Sequence, residues 1–228
     1  MSVVKEDIAE NLRRVAAGLP EAVRLVAVSK TKPMAYIEWA YEAGQREFGE
    51  NKALELRDKH QALPKDIQWH FIGHLQTNKI KYIAPFVAMI HSIDSLELLE
   101  AVDKQAQKNK RIIPCLLQFH IASEETKFGL SFAEAEDLLR SGRYAALQHV
   151  RIDGVMGMAT FTDNQEQVRS EFACLKQYFD TLKSRYFAAA DHFKEISMGM
   201  SEDYPLAIAA GSTLVRVGSK IFGPRVYM

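Results

Sequence analysis

The chain of 228 residues is 47% hydrophobic and 25% charged, an ordinary globular composition with apolar material for one large core. Its 29 Lys and Arg balance 29 Asp and Glu, which argues against a duplex nucleic-acid binder that would need a basic excess. The N-terminus MSVVKEDIAENLRRV carries charges every few residues in place of an apolar signal core, and the longest apolar runs are too short to span a bilayer. Cys115 and Cys174 lie far apart without CxxC spacing, which predicts reduced, buried thiols and a cytoplasmic location.

In chain order, short apolar runs alternate with amphipathic stretches. An extra helix is expected over 4–17, before a first strand over 24–30 (RLVAVSK) and a helix over 34–43. Strands over 46–49 and 68–73 are separated by a helix over 50–62, and a helix over 76–84 leads to a strand over 88–93. Segment 95–109 reads as a helix with Ser95 as N-cap, Leu98 at N3, and Leu99, Val102 and Ala106 facing inward. A strand over 112–119 and a helix over 131–140 precede a strand over 150–157. Val168, Phe172, Leu175, Phe179, Leu182 and Tyr186 then recur at steps of four and three, one apolar stripe along a helix. A strand over 194–199, a helix over 202–210 and a strand over 213–217 complete the series.

Regular strand–helix alternation implies a parallel sheet with right-handed crossovers, and eight repeats favour a single closed (β/α)₈ TIM barrel in the α/β class. An open doubly wound sheet would offer a glycine-rich turn after the first strand, where this chain has VAVSKTKP. Scattered glycines and prolines, and the absence of a linker, predict one domain over 1–228. Only FGPRVYM follows the eighth unit, so no second domain is expected.

Active sites of such barrels lie at the C-terminal rim of the strands. Lys30 ends the first strand on the face of Val26 and Val28; if that face is interior, partial desolvation makes its amine a better Schiff-base nucleophile. The alternative is a lysine whose stem packs on the rim with its head in water, the reading given to Lys32. The loops ISMGMSEDYP and RVGSKIFGP fall where barrels hold phosphate, with Gly199 and Gly218 for close backbone approach and Ser197 and Ser219 for hydroxyl donors. Turn and cap residues would read the same way. Arg216, within an apolar strand, needs a partner: a cofactor ring nitrogen or a rim carboxylate such as Glu50. His70 and His74 have HxxxH spacing, but on a strand this favours packing or hydrogen bonding for His70 and a pocket-lining place for His74.

The segments VAVSKTKP, FGEN, WHFIGHLQTNK, HSID, KFGL, SMGMSEDYPLAIAAGST and RVGSKIFG closely resemble the pyridoxal phosphate homeostasis proteins of the YggS/PROSC type, from about residue 5 to residue 224. The resemblance implies a fold-type III barrel like the N-terminal domain of alanine racemase, with pyridoxal 5'-phosphate in Schiff-base linkage to Lys30. It implies further that Ser197, Gly218 and Ser219 hold the phosphate, that Arg216 faces the pyridine nitrogen, and that Asn51 contacts the ring. The function implied is that of an intracellular vitamin B6 carrier or buffer without robust catalysis. Other B6 vitamers and apo forms of cofactor-dependent enzymes are expected as further partners, and a monomer is expected. Lys52 after GEN and Ser219-Lys220 after the strand-eight glycine depart from the family pattern. The rival readings are a single-domain racemase or lyase, and an aldolase-like barrel in which Lys30 attacks a sugar phosphate carbonyl.

Overall fold

The computed structural model describes residues 4–123 and 128–224. Lys127 of KFGL and the last four residues of FGPRVYM lie outside the described residues. The eight strands are β1 (Arg24–Val28), β2 (Glu47–Glu50), β3 (Gln68–Phe71), β4 (Met89–Ile93), β5 (Ile113–Phe119), β6 (Val150–Gly157), β7 (Glu195–Met200) and β8 (Leu214–Val217). They close in sequence order into a barrel of parallel neighbours, β8 pairing back onto β1. The expected α/β barrel is therefore the fold observed.

Side-chain alternation divides the apolar residues into two layers. A small interior set comprises Val26, Met89, Leu116, Met156 and Leu214. The larger set, including Ala27, Phe48, Trp69, Ile90, Leu117 and Val215, packs outward against the helices. Those helices are α1 (Lys5–Ala17), α2 (Met34–Glu42), α3 (Ala53–Ala62), α4 (Leu96–Lys108), α5 (Phe132–Arg140), α6 (Gly142–Ala145), α7 (Gln165–Tyr186), α8 (Tyr204–Ala209) and α9 (Ser219–Phe222).

Local chemistry explains several boundaries. The Leu98 N–H donates to Ser95 Oγ at 3.2 Å, the cap expected for α4. On α7, Val168, Phe172, Leu175 and Leu182 are buried, and Asn164 caps the start by accepting from the Gln167 N–H. Segment 76–84 is a 3₁₀ helix over Thr77–Tyr82, not an α-helix. The short helices α6 and α9 carry too few residues for a periodic signal. Cys115 is buried, whereas Cys174 is partly exposed, so only one of the two thiols is sealed in the core as expected. Helix α5 opens with a capping box in which Ser131 and Glu134 satisfy each other's backbone N–H groups. Ser131→Ala is expected to lower stability by about 1 kcal/mol, read as a shifted urea midpoint at unchanged slope.

Candidate functional site

The junction of β1 and β8 sets the geometry of the rim. Register pairs Val26 with Arg216 and Ala27 with Val217, which brings Val28 alongside Gly218. A Cβ on Gly218 would stand 3.0 Å from the Val28 carbonyl oxygen, so a side chain here would push the two chains apart by a few tenths of an ångström. The Gly218 N–H donates to Ser201 Oγ at 3.1 Å, tying the loop after β7 to the one after β8. Helix α9 begins immediately after, at the exposed Ser219, whose N–H has no intrahelical acceptor.

Lys30 follows β1, the strand paired with β8, and is half-buried two residues past the strand's end. The strand expected over 24–30 stops at Val28, because the chain turns at Thr31 with φ 65°. Ser29 still follows the ladder, donating its N–H to the Gly49 carbonyl at 3.1 Å. Its hydroxyl donates to Glu50 Oε1 at 2.6 Å on the helix side of the sheet. From α3, the Lys59 ammonium donates to the Ser29 carbonyl at 2.8 Å and to Glu50 Oε1 and Glu55 Oε1, each at 2.7 Å. All three ammonium donors are thereby used. Burial pushes the Glu50 carboxyl up, against the opposing pull of Lys59. Glu50 is thus Lys59's partner and is not available to Arg216.

Arg216 points into the barrel and is almost completely buried. Its Nη1 donates to Ser197 Oγ at 2.6 Å and its Nη2 to the Gly157 carbonyl at 3.0 Å. Burial pushes the guanidinium down to about 10, partly offset by Asp203, so it remains cationic at neutral pH. Ser197 lies inside β7, with no exposed surface, and its Oγ also meets His91 Nδ1 at 2.9 Å. The sequence reading puts Ser197 at the phosphate loop; the structure puts it beneath the rim, holding Arg216. The reason is that β7 continues to Met200, which leaves Ser201 as the loop hydroxyl. His91 Nε2 lies 2.8 Å from His70 Nδ1, so His70 is a buried hydrogen-bonding residue. His91 and Ser201 were not singled out from sequence. A histidine two residues after Met89, on the inward face of an apolar strand, was the signal available for the first.

Across the rim, Asn51 and His74 line a cavity of about 340 Å³ with Lys52, Phe71, Leu75 and Lys79. A Cβ on Gly73 would fall 2.6 Å from the Asn51 Cβ, so Gly73 admits Asn51 at this point. Asn51 Oδ1 is buried and has no hydrogen-bond partner among the described residues. His74 is exposed, stacks on Phe128 with centroids 4.3 Å apart, and sits 3.4 Å from Asp94. The structure therefore gathers Lys30, Gly218 and Ser219 at β1 and β8 above Arg216 and Ser197, with Asn51 and His74 grouped at β2 and β3. Lys220 lies over the Tyr204 ring, 5.1 Å from its centroid.

Residues 3–226 match the family model described as alanine racemase, N-terminal domain. The alanine racemase of Bartonella henselae superposes with a TM-score of 0.72 at 16% identity, covering 99% of this chain and 62% of that one, a likeness of fold. Fold and rim define the class: a parallel barrel of the alanine racemase N-terminal type, with a lysine at the first strand end and an arginine buried below it. Closer relatives narrow this. A pyridoxal phosphate homeostasis protein of Aquifex aeolicus is 38% identical over 229 residues, covering 100% of this chain and 97% of that protein. One of Escherichia coli is 37% identical over 97% of this chain and 98% of its own. The structure of PipY from Synechococcus elongatus with PLP bound superposes with a TM-score of 0.84 at 36% identity, covering 95% of this chain and all of that one. The chain belongs to the pyridoxal phosphate homeostasis protein family.

Proposed function

We propose that this protein binds pyridoxal 5'-phosphate covalently through Lys30 and acts within the cell as a carrier or buffer of vitamin B6. The observation that carries the reading is the cation of Arg216, buried directly below the rim that holds Lys30 and Gly218. Both its hydrogen bonds go to neutral oxygens, and no carboxylate lies at ion-pair distance among the described residues. A buried guanidinium with donors to spare suits a ligand bearing an acceptor nitrogen and an anionic group. The orphaned Asn51 Oδ1 and the close approach at Gly218 fit the same ligand. Relatives bearing the homeostasis name, and PipY with PLP bound, support it.

When bound, pyridoxal phosphate supplies an aldehyde that captures an amine and a conjugated ring that can accept electrons. Lys30 would provide the amine, and the Ser219 hydroxyl and N–H, with the Gly218 backbone, the anion contacts. Arg216 would donate to the ring nitrogen. A guanidinium only donates, so it leaves that nitrogen unprotonated and the ring a weak electron sink. This favours a carrier, with apo-enzymes as recipients, over a racemase or lyase.

Borohydride reduction of the protein loaded with pyridoxal phosphate, followed by peptide mass spectrometry, tests the site. A reduced adduct on Lys30 is expected; label on Lys32, Lys52 or Lys220 overturns the assignment. Turnover of a free amino acid at ordinary enzymatic rates, about 1 per second or more, overturns the carrier reading.

A further inference from the structure

The barrel interior holds a row of polar side chains among the methionines and aliphatics. From the floor upward these are Glu47 on β2, His70 on β3, His91 on β4, Ser197 on β7 and Arg216 on β8. His70 Nε2 is 3.2 Å from Glu47 Oε2, an ion-pair distance without the alignment of a good hydrogen bond. The remaining links are 2.8 Å from His70 Nδ1 to His91 Nε2, 2.9 Å from His91 Nδ1 to Ser197 Oγ, and 2.6 Å from Ser197 Oγ to Arg216 Nη1.

Both ends of this row have fixed polarity. A guanidinium cannot accept a hydrogen bond and a carboxylate cannot donate one. Arg216 therefore donates to Ser197, whose own proton is left for His91 Nδ1. His91 then carries its proton on Nε2 and donates to His70 Nδ1, and His70 donates from Nε2 toward Glu47. From Arg216 to His70 Nδ1 every donor then finds an acceptor, and the His70 Nε2 proton faces the Glu47 carboxylate. The reverse tautomer would either set a bare His70 nitrogen against the Glu47 carboxylate or put a second cation in the barrel and strand the Ser197 proton.

We propose that His70, His91 and Ser197, oriented by the Glu47 carboxylate, form a one-way hydrogen-bond relay that fixes the Arg216 guanidinium for the cofactor, with His91 as its positioning residue. The use made of Arg216 rests on the cofactor reading above, whereas the relay itself is a property of the unloaded protein. Its function is to commit the Ser197 proton to His91, so that a serine lone pair always faces Arg216. Complete burial, with the Arg216 and Arg24 cations nearby, holds the His91 imidazole well below its ordinary range and hence neutral. At the floor, burial works to raise the Glu47 carboxyl, but the facing His70 N–H and the Arg24 cation leave it below its ordinary value and ionised. Arg24 reaches Glu47 at 3.5 Å and Glu195 at 3.0 Å, so the floor cation has its own counter-charges.

Imidazole ¹⁵N spectra of the unloaded wild-type protein at neutral pH test the relay without a variant. Neutral His70 and His91, each protonated on Nε2, are expected. A proton on His91 Nδ1, or a cationic His70, overturns it. With pyridoxal phosphate, His91→Phe keeps a ring but neither nitrogen; it should weaken binding about tenfold, the worth of one buried charge-assisted contact, and shift the visible absorption of the bound cofactor. His91→Gln retains one donor and one acceptor and should restore most of both. Wild-type affinity and spectrum in His91→Phe would sink the positioning role. Failure of wild-type protein to form a Lys30 adduct would instead sink the cofactor reading and leave the tautomer result standing.

Discussion

Lys30→Ala is expected to stay colourless after incubation with pyridoxal phosphate and to give no adduct on borohydride reduction, a complete loss of covalent attachment. The neighbouring lysines are poorly placed to substitute. Lys32 donates to the carbonyls of Phe222, Gly223 and Pro224 at 3.0, 2.9 and 2.8 Å. Three acceptors stabilise its ammonium form, and to become a nucleophile it would have to give up at least one of them. The expectation of a solvated Lys32 head is thus corrected: the head closes the carboxyl end of α9. Lys59 is likewise bound at all three positions, and buried. Lys220 rests over Tyr204, and Lys52 lines the cleft on the β2 and β3 side. Visible absorbance and intact mass read the outcome. A yellow Lys30→Ala protein with one reducible adduct would remove Lys30 from its role.

The barrel was legible in sequence because its strands are short apolar runs at regular intervals, and β6 over Val150–Gly157 matches the expected span at both ends. The rim was legible where glycine carries the signal, as at Gly218, which packs tightly against Val28. Sequence reasoning lost accuracy where the direction of a side chain decides the role. Ser197 reads as a rim serine beside Gly199, yet it lies within β7 on the barrel-facing side, bonded to Arg216. His91 was hidden for the same reason: a histidine in an apolar strand says nothing of the His70 that meets it from the adjacent strand. The Lys59–Glu50 pair joins residues nine apart on different elements, and no periodicity announces it.

That pair underlies the second large effect. Lys59→Met should cost about 3–5 kcal/mol, because it leaves the Glu50 carboxylate buried without its cation and the Ser29 carbonyl without its donor. For a domain of this size the melting temperature should fall by roughly 10 °C. The double variant Glu50→Gln with Lys59→Met removes the charge as well as its partner and should recover most of the loss. The pH dependence separates this cause from lost packing. With Lys59 gone, the folded-state Glu50 carboxyl should rise further above its unfolded value. Such a group binds its proton more tightly when folded, so stability falls as pH rises from the unfolded value to the folded one. The deficit of Lys59→Met should therefore be small at pH 4 and grow toward neutrality, whereas a packing defect would be pH-independent. Because Ser29 immediately precedes Lys30, the variant should also slow attachment of pyridoxal phosphate at temperatures where it remains folded. A pH-independent deficit of 1 kcal/mol or less, by urea unfolding, would show that the pair does not hold the strand end on which the lysine depends.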